Sequence, residues 1–195
     1  MVQGDPATCV YLVRRGLVKL TSTSKQGRPA LLALVGPGGL FGEQAVLESR
    51  GRRVGPRATD GAAPAATALT EGELSVVPVS ELWGREDLSF ILEAFAARLC
   101  EATASLERVL HHGATARLAG VLADLAGRFG VPARRGIELP VVLAQQDLAW
   151  MVGSSRETVN RSLAAVRAMG WVDGGGGRLV VLDPPALRRF AEEGP

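Results

Sequence analysis

Four residues with recognition chemistry, Arg156, Glu157, Asn160 and Arg161, fall within six positions of the segment GSSRETVNRSLAAV, residues 153–166. An arginine is a planar fork of N–H donors that can grip O6 and N7 of guanine together, and a glutamate can accept from the amino group of cytosine. The remainder of the segment has helical spacing. Val159, Leu163 and Val166 form one apolar stripe, which leaves Arg156, Asn160 and Arg161 facing outward with Glu157 beside them. Arginines in a first helical turn oppose the helix dipole, so stability alone does not call for them. A helix end that enters the major groove of DNA does. The plainer reading is a solvated face on which Glu157 and Arg161 pair at i,i+4.

The neighbouring residues favour the first reading. In QQDLAWMVGSSRETVNRSLA (145–164) the spacing predicts a short helix over 145–151, in which Ala149 is small where a second helix must cross closely. Gly153 supplies the left-handed backbone of a tight turn. Ser154 is the expected cap of the next helix, with Glu157 three residues later completing a capping box, and Gly170 stops that helix. The pattern is a helix-turn-helix. The following WVDGGGGRLVVLDPPAL places two short β-runs around the glycines at 174–177, the signature of a wing. There Gly177 and Arg178 either approach a phosphate or belong to a plain turn.

These elements need a scaffold, and the chain of 195 residues is long enough for one large or two small domains. From residue 9 to 78 the runs are short and β-like: CVYLVRRGLVKLTS, a turn at SKQGRPA, LLALVGPGGLFGE, and a closing strand GELSVVPV. Such strands with glycine-rich turns suggest a small barrel or jelly roll. Residues 48–66 are poor in large apolar side chains and read as a loop. From residue 86 the character changes. Leu88, Leu92, Phe95, Leu99, Ala102, Leu106 and Val109 follow an a/d heptad seam. A helix carrying it is about 36 Å long, too long for one small domain to cover. Pairing with a second copy is the preferred expectation, Ala102 allowing close approach; the alternative is a helix lying along its own barrel. A second amphipathic helix follows at 114–130, with Leu118, Val121, Leu122 and Leu125 as its stripe, and VPARRGIELPVV is a loop or short hairpin.

Composition excludes several classes. Hydrophobic residues make up 47% and charged residues 22%, and no apolar run is long enough to span a bilayer. The start, MVQGDPATCV, has no signal-peptide pattern, so a cytosolic protein is expected. Cys9 and Cys100 are too few for an iron–sulfur cluster and read as ordinary thiols. His111 and His112 are adjacent and point about 100° apart on a helix, so no shared metal is expected. The net charge of +2 arises entirely after residue 112: residues 1–112 carry 12 basic and 12 acidic groups, residues 113–195 carry 10 and 8.

VGSSRETVNRSL resembles the recognition segment, usually VGxSRETVxR, of the cyclic-AMP receptor protein/FNR family of bacterial transcription regulators. VYLVRRGLVKL resembles that family's YYIxxGxVxV strands, LVGPGGLFGE its turn before the phosphate cassette, and the heptad helix its dimer helix. The resemblance implies that Arg156, Glu157 and Arg161 read bases in a TGTGA-like half-site while Ser155 and Thr158 contact phosphates. Asn160, Gln145, Gln146 and Arg178 are supporting candidates, the two glutamines because Ala144 stands where the family often has threonine. Cyclic-AMP binders follow FGE with an Arg-Ser pair that holds the cyclic phosphate. Here Gly42 and Glu43 are present, but the pair falls near Ala62 and Ala63, whose methyl groups cannot neutralise a phosphate. The loop arginines Arg50, Arg52, Arg53 and Arg57 have no fixed register with the motif. Thr103 matches a hydroxyl that contacts adenine; its neighbour Ala102 does not. Met1 lies nine residues before VYLV, whereas the family has about two further strands upstream, so either the start lies further upstream or other segments cover that edge.

The expectation is therefore an α+β protein: a cyclic-nucleotide-binding-like jelly roll at 1–84, a dimerisation helix at 85–112 and a winged helix-turn-helix at 113–195. It is expected to act as a homodimeric regulator of transcription on inverted-repeat DNA, and the resemblance implies RNA polymerase as its partner for activation, which the family often touches through the loop at 130–138. It needs no cofactor. A cyclic-AMP-gated regulator of the same architecture is the alternative, and a protein-binding winged helix a remote one. It is not an enzyme; a metal-dependent cupin is disfavoured because the barrel segment contains no histidine.

Overall fold

The computed structural model describes residues 8–27, 29–49, 64–82, 85–139, 143–174 and 178–194. In the N-terminal part, β1 (Cys9–Arg15) lies between β4 (Leu40–Phe41) and β6 (Glu73–Pro78), and β2 (Val18–Thr23) lies between β3 (Pro29–Val35) and β5 (Ala65–Ala68), all antiparallel. Two apolar clusters hold these sheets. One gathers Val13, Val18, Leu20, Val35 and Phe41, with the Tyr11 ring stacked on Phe41 at 4.9 Å. The other gathers Val10, Leu40, Ala45, Val79 and Leu82, and Ile91 of the long helix α2 (Arg85–His111) enters it.

Two short elements depart from the expected loop at 48–66. A five-residue helix α1 (Gln44–Glu48) precedes it, and β5 begins inside it at Ala65. Neither has a pattern of its own. A single helical turn is too short to show a period, and AATA becomes a strand because it pairs with Lys19, Leu20 and Thr21 of β2. Residues 50–63 of the loop, including Arg50, Arg52, Arg53, Arg57, Ala62 and Ala63, lie outside the described residues.

The chain divides into two compact units, Met1–Glu101 and Ala102–Pro195, and the division falls inside α2. The first half of α2 packs on the sheets through Ile91 and Ala94 and through Arg98, whose guanidinium pairs with the Glu43 carboxylate and also donates to the Leu40 carbonyl. The seam residues lie on another face of the same helix: Leu92 and Leu99 are 67% and 69% exposed, and Phe95, Ala102, Leu106 and Val109 are exposed too. The side chain of Leu88 lies outside the described residues. The first half of the helix thus gives one face to its own sheets, while the described seam side chains stay exposed.

Glu43 is buried to 9% exposure, and its carboxylate is met there by the Arg98 guanidinium. Arg98→Ala should destabilise the protein by about 2 kcal/mol, because a buried carboxylate loses its charged hydrogen-bond donor. Thermal unfolding of the variant beside Arg98→Ala/Glu43→Gln checks this: removing the stranded charge should recover part of the loss.

In the second unit, α3 (Ala114–Phe129) is the central helix, with Leu118 and Leu122 fully buried. Around it pack α4 (Gln145–Val152), α5 (Arg156–Ala168) and α6 (Pro184–Glu193). A four-stranded sheet joins the hairpin β7 (Val131–Ala133) and β8 (Gly136–Glu138) to β9 (Val172–Asp173) and β10 (Val180–Val181) in the order β7-β8-β10-β9. Among the described residues no helix is long and apolar enough to cross a membrane.

Candidate nucleic-acid interface

The helix-turn-helix is set by local chemistry. At the start of α4, Ala144 has no side-chain oxygen to offer. Instead Asp147 Oδ2 accepts the Ala144 N–H at 3.3 Å, so neither Gln145 nor Gln146 supplies the cap. Ala149 is fully buried at the crossing. Gly153 adopts φ +63°, and the Ser154 N–H reaches back to the Ala149 carbonyl at 3.0 Å, closing the helix with a left-handed residue. A Cβ on Gly153 would have room, its nearest contact being Val109 at 3.6 Å, so it is the backbone conformation that requires glycine.

The cap of α5 is Ser155, not Ser154 as expected. Ser155 has extended backbone, and its Oγ accepts the Thr158 N–H at 3.2 Å. The left-handed turn takes up one more residue than the capping-box spacing allows. Glu157 is consequently the second helical residue and completes no capping box. Its carboxyl is held below the usual carboxylate range first by a hydrogen bond from the Ser155 side chain and then by its own backbone N–H, with the Arg156 and Arg161 charges adding to the effect and burial opposing it. Any stability this shift confers is present above the ordinary glutamate range and is lost as pH falls through the lowered value. Ser155→Ala should raise the Glu157 titration toward its ordinary range and cost about 1 kcal/mol through the lost cap. Side-chain NMR titration and thermal unfolding read the two effects separately.

Val159, Leu163 and Val166 are buried as the stripe requires, and the buried Ser162 hydroxyl lies 3.0 Å from that of Thr115 on α3. On the outer face Arg156, Glu157, Asn160 and Arg161 are all exposed, as are Gln145, Gln146 and Ser155, and Thr158 is half-buried. The two arginines are held by neutral oxygens. Arg156 Nε donates to Gln145 Oε1 at 3.2 Å, and Arg161 Nη2 donates to Thr158 Oγ1 at 3.3 Å, itself 3.1 Å from Ser155 Oγ. At the wing, Val180 and Val181 pair with Asp173 and Val172. Arg178 is highly exposed, 3.7 Å from the Glu138 carboxylate. Gly177 lies outside the described residues.

Sequence reasoning missed one organiser. Arg117 of α3 donates to the carbonyls of Val152 and Gly153 behind the turn and of Val109 and His112 at the end of α2. An exposed-looking arginine beside the apolar stripe carries no sequence signal of that role. Of the expected effector residues, Gly42 has φ +82°, and a Cβ there would lie 2.7 Å from the Cys9 carbonyl oxygen, so only glycine fits. Glu43, next in the chain, pairs with Arg98, a partner 55 residues away that the sequence did not suggest. Thr103 lies exposed on α2.

The chain matches two family models, a cyclic nucleotide-binding domain over residues 1–84 and a Crp-like helix-turn-helix domain over residues 116–190. It is 30% identical to the CRP-like cAMP-activated global transcriptional regulator of Mycobacterium tuberculosis, over 97% of this chain and 82% of that protein. It is 33% identical to the cyclic AMP receptor protein of Thermus thermophilus over the same shares. Among solved structures, a CRP/FNR-family transcriptional regulator of Thermus thermophilus superposes with a TM-score of 0.80 at 28% identity, covering 98% of this chain and 93% of that one.

Proposed function

The chain belongs to the CRP/FNR family of DNA-binding transcription regulators, and on that premise we propose that two copies, paired along α2, bind an inverted-repeat TGTGA-like site without a cyclic nucleotide. The observation that carries this reading is the exposed edge of α5. Arg156, Glu157 and Arg161 stand clear of the core on a helix whose start is fixed by the Ser155 cap. Their donor and acceptor groups suit guanine and cytosine edges in the major groove. Ser155 and Thr158 would contact phosphates, with Arg178 doing so from the wing, and such contacts supply salt-dependent affinity rather than sequence choice. A two-fold pair presents its recognition helices one DNA turn apart, hence the inverted repeat. The β7–β8 hairpin with Arg134 and Arg135 is the surface we assign to RNA polymerase in activation.

Effector independence rests on two features of the first unit. Counted back along the sequence from GELSVV, the Arg-Ser pair of cyclic-nucleotide binders falls near Ala62 and Ala63, and the Glu43 carboxylate is already paired with Arg98. A cyclic-nucleotide-gated regulator is the second reading, favoured by the domain match over residues 1–84. Selection of bound sites from random DNA, with no ligand and again with cyclic AMP, tests both. Recovery of an inverted repeat without ligand supports the proposal, recovery only with cyclic AMP supports the second reading, and no enrichment in either arm defeats both.

A further inference from the structure

We propose that Gln145 sets sequence preference without touching a base, by aiming Arg156. This rests on the reading of Arg156 as a base contact. Gln145 is the first residue of α4 and Arg156 the first of α5, so the hydrogen bond from Arg156 Nε to Gln145 Oε1 at 3.2 Å spans the turn and joins the two helices at their exposed starts. A guanidinium has five N–H donors in a rigid fork. With Nε held by the amide, the fork that meets a guanine is the end-on pair Nη1 and Nη2. The side-on pair, which needs Nε, is excluded while the bond lasts.

The acceptor's chemistry matters as much as its place. An amide oxygen is neutral, so it orients the arginine without cancelling the charge that DNA attracts. It also engages a nitrogen the base does not use, so the bond persists when the base is bound. Without it Arg156 must be fixed at the moment of binding, and ordering a long side chain opposes association. Arg161 is held separately, through Thr158 and Ser155, so the effect of Gln145 is confined to one of the two arginines.

The test uses the full-length protein and duplexes varied one base pair at a time, at fixed salt. Arg156→Ala first locates the base pair this arginine reads. Gln145→Ala should then lower the preference at that base pair by about three- to ten-fold, the worth of one hydrogen bond. It should leave the preference at the Arg161 base pair, and affinity for random-sequence DNA, unchanged. Gln145→Glu, which keeps an acceptor at the same reach, should retain the preference at the Arg156 base pair while weakening binding to all DNA by charge repulsion. In the Arg156→Ala background Gln145→Ala should have no further effect. Equal loss on operator and random DNA would make Gln145 a phosphate contact and overturn the proposal. An unchanged preference at the Arg156 base pair would overturn it as well. If Arg156→Ala alters no base pair at all, the base-reading role of Arg156 fails and the inference falls with it.

Discussion

Leu99→Glu should leave the protein monomeric and unable to hold an inverted-repeat operator, while its subunit melts at an ordinary temperature. Leu99 is 69% exposed in the single chain and sits at the centre of the heptad face. Two copies meeting along α2 would bury both leucines, at about 2 kcal/mol each. Losing that contribution alone weakens pairing roughly a thousandfold, since each 1.4 kcal/mol is a factor of ten. Two glutamates brought together without partners in the same place add desolvation and repulsion. Sedimentation reads the association state, and binding to whole and half operators reads its consequence. Because Leu99 contributes little to its own subunit, the fold is the internal control. A Leu99→Glu dimer of undiminished affinity would remove α2 from the interface.

Arg156→Ala should cost about 1–3 kcal/mol at one base pair of each half-site and almost nothing elsewhere. The guanidinium stands exposed at the first position of α5, hydrogen-bonded to the Gln145 amide. Its removal takes away a fork of donors but no part of the core. Affinity for random DNA should scarcely change, and the dependence of binding on salt should keep its slope, because a base contact releases no phosphate counterion. A parallel loss on operator and random DNA would reassign Arg156 to the backbone.

How much of this was readable in the chain depends on how local the cause is. Gly153, Ala149 and the Val159, Leu163, Val166 stripe act within a few residues of one another, so their spacing is enough to place the helix-turn-helix. The cap shows where that resolution ends: Ser154 and Ser155 are chemically identical, and only the length of the left-handed turn decides which of them opens α5. The seam was visible as a period, but the period does not say that the same helix has a second working face, made by Ile91, Ala94 and Arg98. Arg98 meets Glu43 across 55 residues, and β5 exists only because β2 offers it an edge. Such pairings belong to the folded arrangement and leave no pattern along the chain.

Arg117 gathers four peptide oxygens from two helix ends onto one side chain, with the closest contacts at 2.8 Å to Val152 and 3.0 Å to His112. A guanidinium offers five N–H donors in a rigid fork, enough to serve all four oxygens at once. The turn that opens α5 is therefore fastened to the last turn of the long helix through one side chain.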